Sequence, residues 1–203
     1  MKKSEILHFM ASRFTGNLDE KQTQWSLIPS SRFLVRKMVR KEEIENANVI
    51  VEFWPGTWVF TEEILKLMRP WTKLYLVEIN AKHCEFLKKR FPEIAEHIYN
   101  IDVREFHTIL EAEGVSHIDI IISWLPFRSI PPEVLTYVFW TFLPMFSSKD
   151  TLFKQFSYIP SARRYSDYIS HILKEFCFIN FPPAFVFTMW GFSQEVSETL
   201  KSS

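Results

Sequence analysis

Residues 49–68, Val-Ile-Val-Glu-Phe-Trp-Pro-Gly-Thr-Trp-Val-Phe-Thr-Glu-Glu-Ile-Leu-Lys-Leu-Met, constrain the fold more than any other stretch, because they read as a strand, a tight turn and a helix in direct succession. Val49, Ile50 and Val51 are a β-branched run of the kind found in parallel strands covered on both faces, where polar and apolar positions need not alternate. Glu52 lies at the carboxyl end of that strand, and Pro55-Gly56 forces a turn. Thr61 is placed to cap a helix with Glu62 and Glu63 in its first turn, where the macrodipole favours negative charge. Ile64, Leu65 and Met68 supply its apolar face. Open α/β sheets bind nucleotide-like ligands at such strand ends.

The rhythm repeats downstream. Lys73–Ile79 reads as a second strand followed by a helix over Ala81–Phe91, and Glu78 at the strand end can accept hydrogen bonds from both hydroxyls of a ribose. A third strand is expected over His97–Asp102, with a helix from Phe106 to a terminal Gly114. The fourth, Ile118–Ser123, is the most hydrophobic and belongs at the sheet centre. Pro131 and Pro132 open a helix to Phe146, Thr151–Tyr158 is a fifth strand with Gln155 and Tyr158 at its open end, and Ser161–Glu175 reads as a helix carrying Arg163 and Arg164. Phe176–Met189 reads as two strands joined at Pro182-Pro183.

A chain of 203 residues with 24 basic and 24 acidic side chains is large enough for one well-buried core, and its charge balance points to no particular partner. Cys84 and Cys177 have no C-x-x-C spacing and read as reduced thiols packed as small hydrophobes. Without a signal-peptide core or a run of about 20 apolar residues, the chain is expected to be cytoplasmic, soluble or peripheral on the inner membrane. Residues 1–41 differ in character from 42–203, which form the single core. Ser4–Phe14 sets Ile6, Leu7, Phe9, Met10 and Phe14 among Lys2, Lys3, His8 and Arg13. That pattern suits a helix packed on the sheet with solvated lysines, or an interfacial helix on an anionic membrane surface.

Glu52-Phe-Trp-Pro-Gly-Thr-Trp58 resembles the E-x-G-x-G-x-G loop of class I S-adenosylmethionine-dependent methyltransferases, in the E-L-G-P-G-T-G form of the phospholipid N-methyltransferases and the related rRNA adenine dimethylases. Gln24–Met38 is similar to the segment that closes over the cofactor in the phospholipid enzymes, with Ser30 and Ser31 capping a helix that carries Phe33, Leu34 and Met38 inward. Ser123-Trp-Leu-Pro-Phe-Arg-Ser-Ile-Pro-Pro-Glu133 resembles their S-G-L-P-F-R-S-L-P-P-E signature, where the RNA enzymes carry N-L-P-Y or N-I-P-Y. Leu125 offers no carbonyl to an adenine amine, whereas Arg128 presents a fork of donors suited to phosphate. The ending Asn180–Val186 resembles the family's N-L-P-P-A-x-V.

The resemblance spans about Gln24 to Met189. It implies a Rossmann-like α/β fold with a seven-stranded, mostly parallel sheet, an antiparallel C-terminal hairpin and N-terminal helices. It implies S-adenosyl-L-methionine as cofactor, held by Glu52, Trp54, Pro55, Gly56, Thr57, Trp58, Glu78, Ile79, Asp102, Val103, Ser123 and Leu125, with Asp102 on the adenine amine. The expected reaction is methylation of the amine of phosphatidylethanolamine or a related phospholipid, Arg128 meeting the lipid phosphate and Tyr158 and Gln155 the rim. No metal is expected, and RNA is the alternative substrate.

Trp25, Trp54, Trp58 and Trp124 stand where the family has glycine, and Trp71 and Trp190 lie where turn glycines are usual. Glycine is scarce at 4 residues against 7 tryptophans, well under the usual ~7%. Decay would also erode Glu52, Glu78, Asp102 and the Pro-rich turn, which are intact. Either these tryptophans are UGA codons that mean glycine in the source cell, or the chain is a non-catalytic relative with a plugged cofactor cleft.

Overall fold

The computed structural model describes residues 32–56, 58–124, 151–158, 169–180 and 182–191. In chain order these form α1 (Arg32–Met38), α2 (Lys41–Asn46), β1 (Val49–Phe53), α3 (Val59–Leu67), β2 (Lys73–Val77), α4 (Ala81–Arg90), a 3-10 turn (Pro92–His97), β3 (Ile98–Tyr99), α5 (Phe106–Ala112), β4 (Ile120–Ser123), β5 (Leu152–Ser157), β6 (His171–Cys177) and β7 (Ala184–Trp190). The strands make one seven-stranded sheet in the order β3-β2-β1-β4-β5-β7-β6. The first five are parallel and β7 runs antiparallel to both β5 and β6. The expected architecture is therefore the observed one, with β4 at the centre.

Alternation along each strand divides the core between the two faces of the sheet. Val51, Phe53, Tyr75, Val77 and Ile121 point to the face where Phe106 and Leu110 of α5 pack. Ile50, Leu74, Leu76, Ile120 and Ile122 point to the other, against Leu34 and Met38 of α1, Ile44 of α2, Phe60 and Ile64 of α3, and Leu87 of α4. The start of β1 is tied beside β4 by Asp119, whose Oδ2 accepts from the backbone N–H groups of Asn48 and Val49, each at 2.8 Å.

Three local expectations are corrected. Residues 171–175, expected in a helix, belong to β6, because pairing with β7 overrides the helix propensity of Leu173, Lys174 and Glu175. Thr61 is not a cap: α3 begins two residues earlier and the Thr61 hydroxyl turns into the protein. Phe33 is half exposed, while Leu34, Val35 and Met38 face the core. The expected helices over residues 4–14 and 132–146 lie outside the described residues.

A cluster of charges fastens α1 and α2 to the far side of the sheet. Lys154 of β5 is fully buried and pairs with Glu43 of α2, while Lys37 and Arg40 both donate to Glu175 of β6. Burial pushes the Lys154 ammonium down, and Glu43 opposes that shift. Removing one partner of a buried pair leaves an uncompensated charge. Glu43→Ala should thus cost about 3 kcal/mol in denaturant unfolding, against no more than about 0.5 kcal/mol for the exposed control Lys41→Ala. Adding Lys154→Met to Glu43→Ala should recover much of the loss.

Candidate cofactor site

The parallel register brings the carboxyl ends of β1, β2 and β4 to one edge of the sheet. Phe53 lies beside Val77 and Ser123, so Trp54, Glu78 and Trp124 leave the sheet side by side. Backbone bonds from Trp54 N to Val77 O (2.9 Å), Trp124 N to Phe53 O (3.0 Å) and Glu78 N to Tyr99 O (3.0 Å) carry the ladder one residue further.

Glu52 is fully buried under α3, where the Thr61 hydroxyl donates to its Oε2 at 2.7 Å. Its Oε1 has no hydrogen-bond partner among the described residues. Burial pushes the carboxyl up to about 8, with the Thr61 hydrogen bond opposing, so in this state it is largely a neutral acid at pH 7. Glu78 is nearly buried, accepts at Oε1 from Asn80 N at 2.8 Å and has Oε2 3.9 Å from His83 Nδ1, which raises the His83 pKa. The Asn100 amide donates to the carbonyls of Glu78 and Ile79 at 2.9 and 3.0 Å, which holds that strand end in place.

Asp102 and Val103 are also near this edge and nearly buried. Asp102 does not present a free carboxylate as expected for an adenine amine: the Arg104 guanidinium grips both of its oxygens, at 3.0 and 2.6 Å. Gln155 is buried, its amide donating to Phe156 O, and is no rim residue, whereas Tyr158 is half exposed at the end of β5. Thr57, Leu125 and Arg128 lie outside the described residues. Sequence reading missed Asn80, Asn100 and Arg104. Asn80 was detectable, since Asn just before a helical run is a capping signal and its side chain accepts from Lys82 and His83 N–H. The other two had no local signature.

The turn after β1 passes through the left-handed region at three alternate residues, Trp54 (φ 55°), Gly56 (φ 49°) and Trp58 (φ 53°). For a residue with a side chain that conformation costs about 1–2 kcal/mol. The main chain thus has the shape of a glycine-rich cradle ahead of a helix N-terminus, suited to close approach by a ligand. The side chains differ. Trp58 stacks over Phe86 and lies beside Arg90, while Trp124 packs on Phe60 and Phe156. Two Trp124 ring atoms lie 3.7 and 3.8 Å from where a Cβ on Gly56 would stand, so this indole occupies the space between the tip of β4 and the turn. The left-handed backbone and the placement of Glu78 suit S-adenosylmethionine; the Arg104-bound Asp102 and the indole of Trp124 do not.

Comparison with known proteins bears on the fold. The O-methyltransferase from Bacillus cereus in complex with SAH superposes with a TM-score of 0.59 at 12% identity, over 94% of this chain and 92% of that one. A spermidine synthase in complex with the transition state analogue AdoDATO gives a TM-score of 0.57 at 13% identity, over 81% of this chain and 62% of that one. The fold is that of the class I S-adenosylmethionine-dependent methyltransferases. No protein-family model matches the chain. The ornithine lipid N-methyltransferase of Singulisphaera acidiphila is 30% identical over 165 residues, 78% of this chain and 84% of that protein. The chain belongs to the S-adenosylmethionine-dependent N-methyltransferase family that includes this enzyme, and S-adenosylmethionine is its cofactor.

The raised Glu52 pKa has a consequence for stability. The folded protein holds a proton there that the unfolded chain releases near pH 4.5, the ordinary value. The neutral acid's contribution is therefore whole below about pH 4.5 and is lost as pH rises toward 8. Glu52→Gln should remove that slope, so that its denaturation midpoint gains on the parent's between pH 5 and 8 by an amount worth up to a few kcal/mol.

Proposed function

We propose that the protein methylates the amine of phosphatidylethanolamine, or of a closely related phospholipid, at a membrane surface. The observation that carries this reading is an apolar ridge on the same edge of the sheet as Glu78. Ser157 of β5 pairs with Phe185 and Cys177 with Ala184, so the turn between β6 and β7 projects beyond the site end of the parallel strands. Phe178 and Ile179 on that turn are 76% and 60% exposed, Phe176 and Tyr158 are half exposed, and residues 176–190 contain no charged side chain. The Asn180 amide closes the turn on Pro182 O at 2.8 Å, and Lys174 places its ammonium 5.6 Å from the Phe185 ring centroid. Exposed aromatic and aliphatic groups flanked by a lysine suit the headgroup boundary of a bilayer. No helix among the described residues is long and apolar enough to cross a membrane.

Bound S-adenosylmethionine would supply an electrophilic methyl group on its sulfonium for a neutral amine, with S-adenosylhomocysteine as the leaving group. The chain's own part is to orient the partners and exclude water, which needs no protein nucleophile. Among the described residues no cluster of His, Cys, Asp or Glu could hold a metal. Within this reading Arg128 meets the lipid phosphate and Tyr158 the rim, and the N-terminal segment is a second contact with anionic lipid.

Labelled methyl transfer from S-adenosylmethionine, using protein purified from its own cells, should appear in phosphatidylethanolamine vesicles. Label entering only RNA, or only an amine lipid that carries no phosphate, would overturn the assignment. Phe178→Ser with Ile179→Ser should weaken vesicle sedimentation about tenfold, in line with the apolar area removed, while leaving thermal stability unchanged.

A further inference from the structure

We propose that positions 54, 58 and 124 are glycine in the protein its own cell makes, the tryptophans of the sequence being the standard rendering of UGA codons that this cell reads as glycine. The inference rests on the cofactor assignment and is independent of which amine is methylated.

Backbone conformation carries the first part. Among the described residues, the non-glycine residues with positive φ are Trp54 and Trp58, and both stand at glycine positions of the motif that the sequence otherwise keeps. They alternate with Gly56, also left-handed, so three positions share one conformation and only the middle one has the residue that adopts it freely. Trp58 is also the residue before α3 and makes no side-chain capping bond, a place where glycine is favoured over large residues.

Space carries the second part, at Trp124. Its indole lies against Gly56, and its Nε1–H is buried without a hydrogen-bond partner among the described residues. A native indole in a protein interior almost always finds an acceptor. A glycine at 124 would remove the orphaned donor and clear the ground between β4 and the cradle in a single change.

Other tryptophans show what the structure does not demand. Trp71 and Trp190 have no positive φ, and Trp190 lies within β7 with its ring stacked on His171 at 5.4 Å. The need for glycine thus follows the cofactor loop rather than tryptophan in general. A plugged, non-catalytic relative would have no reason to retain a left-handed cradle under indole side chains, nor a nearly buried Glu78 beside it.

The gene and the native protein test this directly. UGA at codons 54, 58 and 124, with peptides from cell-purified protein lighter by the difference between tryptophan and glycine, is the expected result. UGG codons, or native peptides bearing tryptophan, would overturn it. A second arm compares two recombinant chains, one as written and one carrying Trp54→Gly, Trp58→Gly and Trp124→Gly, by calorimetry with S-adenosylhomocysteine. The substituted chain should bind at least about tenfold more tightly and melt no lower. Equal affinity, including no binding by either, would overturn the claim that the indoles obstruct this site.

Discussion

The chain has to leave β1 in a left-handed sense at alternate residues, and the rest of the molecule is arranged to make that turn useful. A parallel sheet delivers neighbouring strand ends to one edge, but a ligand reaches them only if the connecting backbone stands aside. The backbone of the turn around 54–58 has the conformation for this, although the indole of Trp124 lies against it. Glu52 below it, Glu78 beside it and α3 behind it are placed in relation to that turn.

Most of this plan was legible in the residues. The β-branched run before Glu52, the Pro-Gly pair and the apolar fourth strand placed β1, its turn and the sheet centre, because each is a local signal that tertiary context does not override. What failed was of a different kind. Residues 171–175 carry helix formers, and only the partner strand β7, later in the chain, makes them extended. Thr61 looked like a cap because hydroxyl residues prefer that place, yet the buried Glu52 carboxyl claims its proton. Asp102 seemed available because nothing in sequence spacing says that an arginine two positions on will fold back over it.

The acids at this edge are consequently not equivalent. Glu52 is kept largely neutral by burial and both oxygens of Asp102 are taken by Arg104, whereas Glu78 accepts from the Asn80 N–H and has its strand end held by Asn100.

The charge cluster linking the amino-terminal helices to the distal hairpin bears on how the chain is made. Lys37 and Arg40 find Glu175 only 138 and 135 positions later, and β6, which carries it, is the outermost strand of the sheet. On a ribosome, Lys37 and Arg40 therefore meet Glu175 only after β6 has emerged, long after α1 and α2 can make their apolar contacts with α3. These ion pairs are thus a late lock on helices that apolar packing already places, and a chain stalled short of β6 would carry the helices without that lock.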